Sequence, residues 1–134
     1  MLRDEIAAYL ATVSPSLGLI KVGPLPATPD VCIAVGGYGG APPTHGFGTL
    51  GIQYEEPGVQ LLVRGAPHDS VEPEARAQRV YQAMAKIQGM TLSGTKYLMV
   101  RPQQSPFELK RDDQDTRVVF AANFLCEKEP SAAA

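Results

Sequence analysis

The run from residue 116 to residue 127 restricts the fold more than any other part of the chain. It is the longest candidate strand, and it is apolar on both of its alternating sides. Val118, Phe120, Ala122, Phe124 and Cys126 fall on one side, which is predicted to be core. Arg117, Val119, Ala121, Asn123, Leu125 and Glu127 fall on the other. With Val119, Ala121 and Leu125 on it, that second side is more apolar than a plain solvent face. Either the loop-rich first half of the chain folds over it, or it is a surface for association.

The elements around this strand follow from their own patterns. Leu2, Ile6, Tyr9, Leu10 and Val13 recur at helical spacing over residues 2–13, with Arg3, Asp4 and Glu5 off the stripe. Ser14-Pro15 ends that helix. Short apolar runs at 19–22 and 31–35 read as strands. The second leads into residues 36–48, with six glycines and two prolines, which read as a long loop. Residues 49–55 and 58–64 are two further strands around Glu56-Pro57-Gly58, with Leu62 on the outward phase of the second. Residues 71–88 are the clearest helix. Ser70 is its expected N-cap, Pro73 stands in its first turn, and Glu72 and Glu74 lie at the positive end of its dipole. Ala77, Val80, Ala83, Met84 and Ile87 make its buried stripe, Arg76 is placed on or near the wet side, and Gly89 is the stop. A strand at 95–101 puts Met99 outward. Residues 106–115 read as a solvated charged turn, and 129–134 as a flexible tail. The order of helix, strands, helix, strands predicts one α+β domain over 1–128. Its sheet is mostly antiparallel, with two α-helices packed on one face.

Composition removes several functions. At 134 residues, 44% hydrophobic and 19% charged, the chain is globular and long enough for a real core. A net charge of −2 without a basic stripe argues against direct nucleic-acid binding. No apolar run approaches the length of a membrane helix, and no signal-peptide core precedes the first helix. Cys32 and Cys126 are expected as free thiols of a reducing cytosol, unless the strands that carry them are neighbours. His45 and His68 stand beside turn residues without a ligand partner at helical spacing, and no Cys-x-x-Cys accompanies them, so no metal site is expected. Gly36-Gly37-Tyr38-Gly39-Gly40 follows a strand but lacks the lysine and hydroxyl of a phosphate cradle. Pro42-Pro43 also removes two amide donors. Asp112, Asp113 and Asp115 lack the glycine and distal glutamate of a calcium loop. The expectation is a protein that is not an enzyme and takes no cofactor. A small ligand-binding protein that uses the Gly36–Gly48 loop is the alternative outside the structural class.

A wider pattern runs from Pro57 onward. It comprises Pro57-Gly58-Val59-Gln60-Leu61-Leu62-Val63-Arg64, then a helix with Ala75, Ala77 and Val80-Tyr81, then Leu92-Ser93-Gly94-Thr95-Lys96-Tyr97. Pro106-Phe107-Glu108-Leu109, a short acidic turn and Arg117-Val118-Val119-Phe120-Ala121-Ala122-Asn123-Phe124 follow. This resembles the minor capsid and tail-terminator family of long-tailed bacteriophages. The resemblance implies a ring, commonly a hexamer, that stops polymerisation of the tail tube at its head-proximal end and carries the surface that joins tail to capsid. The implied partners are further copies of the chain, the major tail tube protein and neck or connector proteins. A head-completion or neck adaptor protein is the neighbouring alternative. The implied location is the host cytoplasm during assembly and then the tail or neck of the virion. The residues expected at subunit or partner contacts are Tyr38, Phe47, Leu62, Arg64, Met99, Arg101, Val119 and Leu125. Arg64 and Arg101 are included because they stand at strand ends, where a charge can pair across subunits.

Overall fold

A computed structural model describes residues 2–13, 17–26, 30–45, 52–111 and 117–129. The elements run α1 (Leu2–Val13), β1 (Ile20–Val22), β2 (Cys32–His45), β3 (Ile52–Arg64), α2 (Val71–Ala85), β4 (Gln88–Leu92), β5 (Thr95–Pro102), β6 (Phe107–Arg111) and β7 (Val118–Lys128). All seven strands join one sheet in the order β1-β2-β3-β7-β5-β4, with β6 also paired to β7. Only β1 and β2 are parallel; the other pairings are antiparallel.

The expected α+β architecture is present, with both helices on one face. Ile33 and Val35 of β2, Val59, Leu61 and Val63 of β3, and the alternate β7 residues Val118 to Cys126 form one side of a single core. Ile6 and Leu10 of α1 and Ala77, Val80, Ala83 and Met84 of α2 form the other. The Tyr81 and Phe124 rings pack at 6.3 Å between centroids. Tyr9 donates its hydroxyl to the Ala83 carbonyl at 2.9 Å, so α1 is pinned to α2. Because α1 touches β1, β2 and β4, the sheet curls round the helical layer until both its edges meet that helix.

Several boundaries differ from the sequence reading, and each has a local cause. The stretch expected as a loop from Gly36 continues β2 as far as His45, paired to β3 with Tyr38 opposite Gly58, Ala41 opposite Glu56 and Thr44 opposite Tyr54. Its register shifts after Tyr38 and again after Ala41, next to Pro42-Pro43, which suits residues that cannot donate to a ladder. β3 is likewise one strand through Pro57-Gly58, where two were expected. Helix α2 ends at Ala85, earlier than expected, and Gly89, at φ +59°, sits inside the unforeseen strand β4. The first part of the expected charged turn is β6. Along β7, β6 continues the edge that β5 begins: Pro102 faces Phe124 and Phe107 faces Ala121, so residues 103–106 interrupt one bulged edge. Gln103 N–H still donates to the Asn123 carbonyl within that interruption. Ser14-Pro15, Gly46–Gly48, Asp112, Asp113, Asp115 and residues 130–134 lie outside the described residues, as does Phe47.

Three side chains correct the reading of the helices. Glu5 is buried, and so is Arg76, although both were placed off the apolar stripes. At the start of α2, Ser70 makes no side-chain cap. Asp69 Oδ1 instead accepts from the Val71 and Glu72 amides at 3.1 and 3.2 Å. The chain enters α2 closely past the end of β3: a Cβ on Gly65 would stand 2.5 Å from Pro73 Cγ, so only glycine fits there.

Candidate association surface

The sheet's outer face, opposite the helices, divides into two halves. In the first half Cys32, Ala34, Arg64, Val119 and Ala121 are buried although no helix lies over them. Arg64, 2% exposed, explains part of this. Its Nε donates to the Asp30 carbonyl at 2.9 Å and its Nη2 to the Pro26 carbonyl, so it ties the chain ahead of β2 across the sheet end. Arg117 adds an ion pair to Asp30 at 3.0 Å. Arg76 enters the same end from α2. Its Nη1 donates to the Leu17 carbonyl at 3.3 Å and its Nη2 to the Arg64 carbonyl at 2.6 Å. Its Nε lies 3.3 Å from Glu72 Oε2, close enough for an ion pair but not aligned as a hydrogen bond. Burial lowers the Arg76 pKa from its ordinary value, while Glu72 opposes the shift. The Cys32 thiol beside these guanidiniums is pushed up by burial, against the pull of Arg64, Arg76 and Arg117.

The second half is open. Leu62, Gln60, Asn123, Leu125, Met99 and Glu127 are all half-buried there. Cross-strand pairing places Gly58 and Arg101 on either side of Leu125, and Glu127 beside Met99. Arg101 Nη2 reaches Glu56 Oε1 at 2.8 Å, so an ion pair crosses β7 on this face. The Asn123 Oδ1 atom is buried without a hydrogen-bond partner.

Of the residues expected at contacts, Met99, Arg101 and Leu125 are thus neighbours on one open face, and Leu62 shares that face at its boundary, between Ala34 and Ala121. Arg64 and Val119 lie inside the protomer, 2% and 1% exposed, and Arg64 is held there by the Asp30 and Pro26 carbonyls ahead of β2. Arg64 was expected as a strand-end surface charge. Its guanidinium is taken up by backbone carbonyls instead. Tyr38 sits on β2 opposite Gly58, which is in turn opposite Leu125, so its backbone lies in the same cross-strand row as Leu125 and Arg101.

A separate tie holds α1 to the opposite edge. Glu5, 4% exposed, accepts from Thr95 Oγ1 at 2.5 Å and from Tyr97 Oη at 2.8 Å. Burial, then the hydrogen bond and charge of Glu5, push the Tyr97 phenol upward and keep it neutral. A cleft of about 200 Å³ opens beside Glu5, lined by Ala8, Tyr9, Thr12, Thr91, Leu92 and Ser93. Of its polar groups the Glu5 carboxylate fastens the helix to β5, while Tyr9 donates to the Ala83 carbonyl of α2 and Thr12 Oγ1 to the Tyr9 carbonyl of its own helix. Among the described residues no group of three or more His, Cys, Asp or Glu side chains could hold a metal ion. Cys32 and Cys126 are both free. Cys32 lies on the covered outer half and Cys126 in the helix-side core, so they lie on opposite faces of the sheet.

Glu5 and Arg76 are the polar residues missed at the level of sequence. For Arg76 the signal existed: position 76 falls on the α2 stripe with Pro73, Ala77, Val80 and Ala83, and only its charge argued it outward.

The fold therefore defines a small α+β protein whose helices shield one sheet face and, among the described residues, leave half of the other only half-buried. The profile of the bacteriophage tail terminator protein family matches residues 6–130, and the chain belongs to that family. It is accordingly a structural protein of the phage tail that acts with other tail and head components. A search of curated proteins gave no match. Among the described residues no helix is long and apolar enough to cross a membrane.

Proposed function

We propose that the protein assembles as a closed ring of identical copies at the head-proximal end of the tail tube. There it stops tube growth and offers the surface to which the capsid side of the neck attaches. Family membership supplies the terminating role. The observation that carries the assembly is the open outer sheet face. Leu62, Met99 and Leu125 are grouped there, and the nearest cation, Arg101, is already neutralised by Glu56. A half-apolar sheet face without a covering layer favours burial against another protein. Ring closure requires two different patches on each copy, related by a rotation that closes.

The test polymerises the cognate tail tube protein with and without this chain and measures tube length and end structure by electron microscopy. The expected result is shorter tubes, each bearing a ring of density at one end. Tubes of unchanged length with bare ends would remove the terminating role. Light scattering of the purified chain at several concentrations gives the oligomeric state directly.

A further inference from the structure

Glu127 stands on the open half of the outer face beside two apolar side chains. Met99 lies opposite it on β5, and Leu125 precedes it on the same side of β7. The register with β3, where Glu55 is opposite Lys128 and Gly58 opposite Leu125, brings Glu56 to its other flank. Like charges directly opposite one another on a sheet repel. Of the two carboxylates, Glu56 takes the Arg101 guanidinium, at 2.8 Å. Glu127, half-buried, makes no ion pair or side-chain hydrogen bond among the described residues.

A partner that covers this face strips water from Glu127. A carboxylate buried without a counter-charge is costly, so the cover must bring a cation and set it among apolar groups. The chain itself carries such a patch at the β1 edge of the sheet, where β1 has a strand partner on one side only among the described residues. Leu19, Val22 and Val31 are three of the six large apolar side chains exposed among the described residues, and all three belong to this edge. Lys21 stands between Leu19 and Val22 in the chain, is exposed, and lies opposite Ala34, on the outer side of the sheet. It too makes no ion pair among the described residues. Lys86 and Lys96 are also exposed, but the residues on either side of each are buried or small.

We infer that Lys21 on the β1 edge of one copy pairs with Glu127 on the outer face of the next copy, the apolar groups around each charge meeting one another. The inference rests on the ring reading above and assigns its two patches. Lys21 cannot reach Glu127 of its own copy. Lys21, Ala34, Leu62 and Ala121 form one cross-strand row, so β7 is three strands away from β1, at about 4.8 Å for each step. From Ala121 to Glu127 is a further distance of about 20 Å along β7, at about 3.3 Å per residue. Edge and face are also different surfaces, so each contact is head-to-tail and leaves one edge and one face for the next copy. A charge pair within an apolar contact fixes partner and register, which a ring of identical copies requires.

Charge reversal in the full-length chain tests this. Lys21→Glu and Glu127→Lys are made singly and together, with Lys86→Glu and Lys96→Glu as controls that change net charge elsewhere. Circular dichroism and thermal melting establish that each is folded. Where a reversal is not, Lys21→Gln and Glu127→Gln replace it, and a double variant no weaker than either single one then marks the pair. Association is measured by light scattering over a range of concentrations, and as ring density on tube ends by electron microscopy. Wild type and both controls are expected to give the closed oligomer. Each single reversal is expected to weaken association about tenfold or more, and the double reversal to restore it. Single variants that associate as wild type does would overturn the contact, as would a double reversal no better than its parents. Loss from Glu127→Lys with Lys21→Glu silent would also overturn it, by giving the face to another partner. Controls as damaging as Lys21→Glu would overturn it by reducing the effect to net charge. A wild type that is monomeric both free and on tubes would instead overturn the ring reading itself.

Discussion

Arg64 and Arg76 bring two guanidinium groups into the interior, where their principal acceptors are backbone carbonyls. Each removes the desolvation cost of a buried carbonyl while hiding its own charge, so truncation exposes that cost. Arg64→Met is expected to destabilise the fold by about 1–3 kcal/mol for each carbonyl left without a donor. A lower urea midpoint with an unchanged slope would register this. Protons report on burial in a second way. Burial pushes the Cys126 thiol up to about 12 from 9.0, and the Tyr97 phenol upward from 10.0. Above about pH 9 the unfolded chain therefore holds fewer protons than the folded one, and stability falls as pH rises. The contribution of Cys126 is complete below about pH 9 and is lost as pH climbs toward about 12. Thermal melts across this window should decline steeply for the wild type and less steeply for Cys126→Ala. Equal slopes would mean that the thiol does not report on folding.

At the scale of the element, the start of α2 separates two neighbouring residues. Asp69 supplies the acceptor for two otherwise unpaired amides, and Ser70 supplies none. Asp69→Ala is expected to cost about 1 kcal/mol in thermal or urea unfolding, and Ser70→Ala a few tenths at most. A reversed ranking would refute this account of the cap. The same element shows what a sequence can disclose. The α2 stripe and the alternation of β7 are periodic, so both were legible, and with them the α+β class and the helix-side core. The Gly36–His45 half of β2 was not, because β3 opposite it, rather than the propensity of its own residues, makes it a strand. β4 was hidden by Gly89, which reads as a helix stop. Of the candidate site, Leu62, Met99 and Leu125 were placed on the outer face by strand phase, and Arg101 was singled out by its position at a strand end. Arg64 was misplaced because its burial depends on carbonyls of Pro26 and Asp30, more than thirty residues earlier.

For the whole molecule, two adjacent residues of β7 make the clearest contrast. Phe124 points into the helix-side core and Leu125 onto the open face. Phe124→Ala should lose about 3–5 kcal/mol and lower the melting temperature of the monomer. Leu125→Asp should cost under about 1 kcal/mol in the same melt, yet abolish oligomers in light scattering. Unfolding of the monomer by Leu125→Asp would make that residue ordinary core. β7 also governs the order of events during synthesis. It lies between β3 on one side and β5 and β6 on the other, although it is the last of the described strands to be made. A ribosome thus releases every other strand before the one that joins them. A nascent chain halted before Val118 holds β1–β3, β4–β5 and a lone β6 unjoined, and a core that lacks the β7 wall. Folding of the sheet must wait for residues 118–128, so a protomer that presents the outer face described above cannot arise before β7 has left the ribosome.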